Sequence, residues 1–152
     1  NAKATFFCIG NNVESCPDEF QSILNNGHAV GNHTYSHMNG WNNSLLSYLR
    51  DIRKCDAIFK SKLFRPPHGR MSNKQRSVLT KDYKVIMWDV LSGDFDSSLS
   101  GEDCYEAVID SVTNGSIIVF HDSKKAAPRL KIALPLILED LMNQGFSFKI
   151  VK

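Results

Sequence analysis

With 152 residues, 42% hydrophobic and 22% charged, the chain suits one globular domain, 1–152, long enough to bury a real core. Eighteen Lys and Arg against sixteen Asp and Glu leave a formal net charge of +2, spread along the sequence rather than gathered in a stripe, which argues against nucleic acid as a partner. No apolar run approaches the ~20 residues of a membrane span, and the first residues lack the basic and apolar regions of a signal peptide.

Taken in chain order, apolar runs of strand length alternate with segments of helical period. "ATFFCI" (4–9) reads as a buried strand and "PDEFQSILNNG" as a helix with Pro17 in its first turn and Gly27 at its stop. "HAVGN" is a short strand, and "SLLSYLRDIRKCDAIFKS" (44–61) puts Leu45, Leu49, Ile52 and Ala57 on a helical stripe. Next come a brief strand at "LFR", a helix around "SNKQRSVLTK" and a strand at "YKVIMWDV". A helix at "GEDCYEAVIDSVTNG", a strand at "SIIVF", a long helix within "RLKIALPLILEDLMNQG" and a last strand at "SFKIV" complete the chain. Pro135 should start, kink or interrupt that long helix. Strands spaced by helices imply βα units and a parallel sheet, either an open doubly wound sheet or a barrel. The absence of G-x-G-x-x-G counts against a dinucleotide-binding sheet.

Cys8, Cys16, Cys55 and Cys104 fall at wide, irregular spacings with no C-x-x-C pair. That pattern disfavours a cysteine metal cluster or redox motif and favours a reducing, cytoplasmic setting.

The polar residues of most interest come after strands: His33 and His37 after "HAVGN", Arg65 after "LF", Asp94 after "YKVIMWDV" and His121 after "SIIVF". In parallel α/β architectures the loops after strand C-termini converge on one face, where ligands bind. Each residue alone has a plainer reading. A histidine after a strand is commonly a hydrogen-bonded structural group, as His28 is expected to be, and Arg65 beside Pro66 could anchor a turn. Asp94 and Asp96 in "SGDFDSS" would ordinarily be solvated, and Asp122 could cap the segment after it. The plainer reading is weakest for His33 and His37 together, because on one helical turn residues i and i+4 share a face, the spacing that metal-binding histidines use.

Together "ATFFCIG", "GHAVGNHTYSH", "FRPPHGR", "VIMWDVLSGDF" and "GSIIVFHD" resemble consecutive motifs of the NodB-type polysaccharide deacetylases, carbohydrate esterase family 4. The resemblance implies a distorted (β/α) barrel and a metal-dependent hydrolase that removes acetyl groups from an acetylated polysaccharide or oligosaccharide such as chitin oligomers or peptidoglycan. By the same resemblance His33 and His37 match histidine ligands of a divalent metal, usually zinc. Arg65 matches the arginine that orients the catalytic base, Asp94 the carboxylate that pairs with the catalytic histidine, and His121 that histidine, the general acid. Phe95 stands where the family often has tryptophan, and with Val119 it is expected to wall the acetyl pocket. Pro66, Pro67 and Gly69 shape the turn after Arg65, and Pro67 and His68 are expected at the substrate. The family's "T-F-D-D-G-P" motif, source of the base and a third metal ligand, has no counterpart, since no Asp-Asp pair occurs in the sequence. "NAKATFF" matches the family's second strand, so the first strand and helix are expected to lie outside this chain and the chain alone to be inactive. The alternatives are a carbohydrate-binding relative that lost its base and a hydrolase of a non-sugar amide.

Overall fold

The computed structural model describes residues 2–152. It divides into two compact units, one of Lys3–Met87 with Lys149–Lys152 and one containing Trp88–Phe148.

In the first unit, β1 (Thr5–Cys8), β2 (Ala29–Asn32), β3 (Leu63–Phe64) and β4 (Lys84–Val85) form one parallel sheet in the order β1-β2-β3-β4. Each strand pairs with its neighbour in sequence, the order of a barrel wall; a doubly wound sheet reverses its order at a switch point. Helices α1 (Gly10–Ser15), α2 (Pro17–Asn25), α3 (Leu45–Ile58) and α4 (Asn73–Leu79) fill the crossovers.

Local chemistry explains the helix ends. Pro17 opens α2 with Asp18 and Glu19 in its first turn, where negative charge suits the N-terminal end of the dipole. The helix closes in a Schellman motif: Gly27 has φ +72, its N–H bonds to Leu24 O at 2.9 Å, and the N–H of His28 bonds to Ile23 O at 3.2 Å. The Ser44 side chain caps α3, and Ser72 with Gln75 makes a reciprocal capping box on α4. Tyr48, Ile52, Phe64 and Leu79 form one buried cluster, and Val13, Cys55 and Phe59 another.

The second unit pairs β5 (Val90–Leu91) with β6 (Ile118–Val119) in parallel and packs α5 (Gly101–Ile109) with α6 (Ala127–Asn143) over Val90, Cys104, Val108, Ala133, Ile137 and Leu141. Pro135 lies inside α6, which runs on through it. The Asp89 carboxylate accepts the Ile117 N–H at 2.6 Å and the Ser116 hydroxyl at 2.7 Å, which sets the β5–β6 register and holds that carboxyl below the usual carboxylate range.

Two expectations are corrected and one element is added. "YKVIMWDV" is not one strand: β4 ends at Val85 and β5 begins at Val90. Between them Arg65 takes the carbonyls of Ile86, through Nε at 3.1 Å, and Met87, through Nη2 at 3.2 Å, so these acceptors bond a side chain rather than a strand. "SFKIV" forms no strand among the described residues; Phe146 and Phe148 pack beside the core of the second unit, and the Val151 N–H donates to the Thr5 hydroxyl at 2.9 Å in place of a backbone ladder. Helix α1 was not anticipated. Its first N–H groups, of Gly10 and Asn11, bond to Thr34 O and Tyr35 O at 3.0 Å each, a link between distant segments that leaves no local pattern.

Candidate active site

In the first unit the segment after β2 carries His33 and His37, with ring centroids 5.0 Å apart. The helical turn expected for them is absent: 33–37 is irregular, Thr34 has φ 63 and His37 φ 58. A positive φ is costly for any residue with a Cβ and most of all for β-branched Thr34, so the surroundings must hold it. They do so with buried polar groups. Asn32, fully buried, accepts the Thr34 N–H on Oδ1 at 2.8 Å and donates from Nδ2 to Ile52 O at 3.1 Å and Asp56 Oδ1 at 2.9 Å. Thr34 Oγ1 accepts the Met38 N–H at 2.9 Å. From α3, Asp51 accepts the N–H groups of Tyr35 and Ser36 at 2.9 and 3.0 Å and the Ser36 hydroxyl at 3.0 Å. The i, i+4 histidines therefore meet because the chain between them is strapped to α3, not because it is helical.

His33 Nδ1 lies 2.7 Å from Arg65 O. A carbonyl only accepts, so Nδ1 carries the proton and Nε2 the lone pair, the tautomer a metal-binding imidazole needs. The ring of His68 stands edge-on to His37 at 4.7 Å, on an exposed residue with φ 58 between buried Pro67 and Gly69. The Arg65 guanidinium lies 4.2 Å over the Phe7 ring, and burial pulls it down to about 10, which leaves it a cation at neutral pH. In donor type the histidine pair fits zinc. In number it supplies two ligands, and no group of three His, Cys, Asp or Glu able to hold a metal ion occurs among the described residues.

In the second unit Asp94, at 0% exposure, holds His121 twice. Oδ1 lies 2.7 Å from Nδ1 and Oδ2 accepts the His121 backbone N–H at 2.6 Å. With the carboxylate accepting at Nδ1, Nε2 is the ring nitrogen left for a ligand or substrate, on a side chain 42% exposed. Phe95, 41% exposed, packs edge-on to the His121 ring at 5.2 Å. Val119, buried on β6, accepts the Ser92 N–H through its carbonyl at 3.2 Å. Asp96 accepts the Ser98 N–H at 2.9 Å and the Ser98 hydroxyl at 2.8 Å, bonds that lower its carboxyl and make it a loop cap. His28 is structural as expected, accepting the Ala4 N–H at Nδ1 at 3.1 Å.

Sequence reasoning missed Asn32, Asp51 and Arg129. Arg129, 9% exposed on α6, donates from Nε to Asp94 O at 2.7 Å and from Nη2 to Lys125 O, which clamps the backbone of the carboxylate residue. A charged residue inside the apolar helix "RLKIALPLILEDL" was the available signal.

The polysaccharide deacetylase family matches residues 1–85. A peptidoglycan-N-acetylglucosamine deacetylase of Bacillus cereus is 30% identical over 156 residues, 97% of this chain and 56% of its own length. A second from the same organism is 30% identical over 154 residues, 97% of this chain and 72% of its own length. The crystal structure of a peptidoglycan N-acetylglucosamine deacetylase superposes with a TM-score of 0.90 at 30% identity, covering 99% of this chain and 74% of that one. The chain thus spans little more than half the length of the first of these relatives. Its motifs, the parallel order of its strands and these likenesses agree, and the chain belongs to the NodB-type polysaccharide deacetylases of carbohydrate esterase family 4.

Proposed function

We propose that the chain carries catalytic residues of a metal-dependent hydrolase that removes acetyl groups from an N-acetylated polysaccharide of the peptidoglycan or chitin kind. The observation that carries this reading is the Asp94–His121 pair, in which a fully buried carboxylate fixes both the ring and the backbone of a half-exposed histidine. Breaking an amide C–N bond leaves an amine that must receive a proton as it departs. Acting as the acid, His121 must start as the doubly protonated ring: the Nε2–H passes to the departing amine, while the Nδ1–H stays with Asp94, where it cannot reach a substrate. Asp94 holds the ring's orientation and tautomer, as the orienting carboxylate of a catalytic triad does. Phe95, edge-on to the ring, shields this proton transfer from water and with Val119 walls the acetyl methyl.

His33, through Nε2, and His37 would hold the divalent cation, zinc by resemblance, which when bound supplies polarisation of the amide carbonyl and acidification of water. Arg65 contributes twice: its carbonyl fixes the His33 tautomer, and its guanidinium orients the base. Pro67 and His68 lie on the turn beside His37 and contact the sugar.

The test is acetate release from N-acetylglucosamine oligomers by the full-length protein with zinc. His121→Ala should lower turnover by about 10²–10⁴ with zinc content retained. Unchanged turnover would remove His121 from the mechanism, and lost zinc would recast it as a ligand. Oligomer binding without acetate release in the unaltered protein would mark a carbohydrate-binding relative that does not turn over.

A further inference from the structure

Trp41 is the most exposed large apolar side chain among the described residues, at 64%, yet it is held in place. Its indole N–H donates to Met71 O at 3.1 Å, the Asn39 side chain accepts its backbone N–H at 3.0 Å, and the Arg70 guanidinium lies 5.1 Å from the ring centroid. The support beneath it is tight. The Gly40 N–H bonds to Arg70 O at 3.2 Å, and a Cβ at Gly40 would fall 2.6 Å from that oxygen and 2.8 Å from Gln75 Oε1, so only glycine lets the two loops close. Gln75, 1% exposed, donates from Nε2 to Gly40 O at 2.8 Å and Asn43 O at 3.1 Å. Gln75, which also caps α4, and the close backbone contact thus fix the loop on which an apolar ring stands in water. Stability alone would favour burying that ring. The two loops so joined are those of His37 and His68, whose rings meet at 4.7 Å.

We propose that Trp41 and Arg70 form a sugar-binding subsite for the polysaccharide, adjoining the histidine pair. A pyranose ring has an apolar C–H face and a rim of hydroxyl and acyl oxygens. The indole supplies a rigid apolar platform for the face, and the guanidinium donates to the rim. The ring bound there is one beyond that held at the histidines, so the subsite recognises chain length. The inference rests on the polysaccharide reading above.

The experiment compares Trp41→Ala, Trp41→Phe and Arg70→Ala with the unaltered full-length protein on short and long N-acetylglucosamine oligomers. It reads kcat and KM with zinc, and affinity by calorimetry without it. Loss of the platform should raise KM and Kd for long oligomers roughly 3- to 10-fold, with less effect as the oligomer shortens. The change should sit in KM more than in kcat, and Trp41→Phe, which keeps an aromatic ring and its packing, should fall between. If the unaltered protein neither binds nor deacetylates oligomers, the polysaccharide reading falls and the subsite with it. If it is active and both Trp41 variants match it at every length, the subsite alone falls.

Discussion

Asp94 spends both carboxylate oxygens on one residue, His121, and its own carbonyl on Arg129. Asp94→Asn would keep the shape but place an amide NH₂ against one of the two His121 N–H groups, a donor facing a donor. The ring then loses its fixed orientation or tautomer, and turnover should fall by about 10²–10⁴ while zinc content stays that of the unaltered protein. Wild-type turnover in this variant would show that the pair is structural. Tyr48 is the opposite case: a fully buried side chain whose hydroxyl has no hydrogen-bond partner among the described residues, with burial pushing its ionisation up. An unmet buried hydroxyl costs about 1–3 kcal/mol. Tyr48→Phe should therefore be neutral to about 1 kcal/mol stabilising by denaturant titration, and a clear loss of stability would mean that the hydroxyl is satisfied after all.

The segment 33–38 is an element in its own right, irregular in backbone but fastened by Asn32, Thr34 and Asp51. Asp51→Ala leaves two N–H groups and a hydroxyl without their acceptor and frees the histidine spacing. Zinc affinity should drop about 10- to 100-fold, as for other residues that orient ligands, and competition with a chromophoric chelator reads this without any substrate. Equal affinity would show that β2 and the Pro66–Pro67 turn suffice. This strap marks the limit of what the sequence discloses. The i, i+4 histidines and the Asp and His after their strands were legible, because strand ends and ligand types are local features. The strap was not, since Asp51 looks like any polar position on an amphipathic helix and its partners lie 15 and 16 residues away. The break in "YKVIMWDV" was hidden for the same reason, Arg65 being 21 and 22 residues from the carbonyls it takes. Helix α5 gives a pH-dependent counterpart. Asp103 accepts the Ser100 N–H, and that bond, more than the one to the Ser100 hydroxyl, lowers its carboxyl. A depressed carboxyl contributes to the cap above its unfolded pKa, and the contribution is lost as pH falls through the folded value. The protection of the first-turn amides of α5, taken as exchange relative to the intrinsic rate at each pH, should fall toward acid, and Asp103→Asn should remove that dependence.

At the scale of the whole molecule, each of the two units buries a cysteine in its core: Cys55 beside Val13 and Phe59 in the first, Cys104 among Val108, Ile137 and Leu141 in the second. Cys16, at the junction of α1 and α2, is exposed. Alkylation requires a thiolate within reach of the reagent. Burial denies both at Cys55, whose thiol it pushes up to about 12, and it raises that of Cys104 as well. Neither can react from the native state, so each must label through an opening of the unit that contains it, and its rate measures the free energy of that opening. For openings of about 5 kcal/mol or more, labelling should run at least about 10³-fold slower than at Cys16. Timed alkylation followed by peptide mass spectrometry reads the sites separately. Denaturant should accelerate Cys55 and Cys104 and leave Cys16 nearly unchanged, because only the first two need surface to be exposed before they react. Should Cys55 label as fast as Cys16, the packing of α1 on α3 would be open in solution, and with it the bonds from Gly10 and Asn11 that tie α1 to the segment carrying the histidine pair.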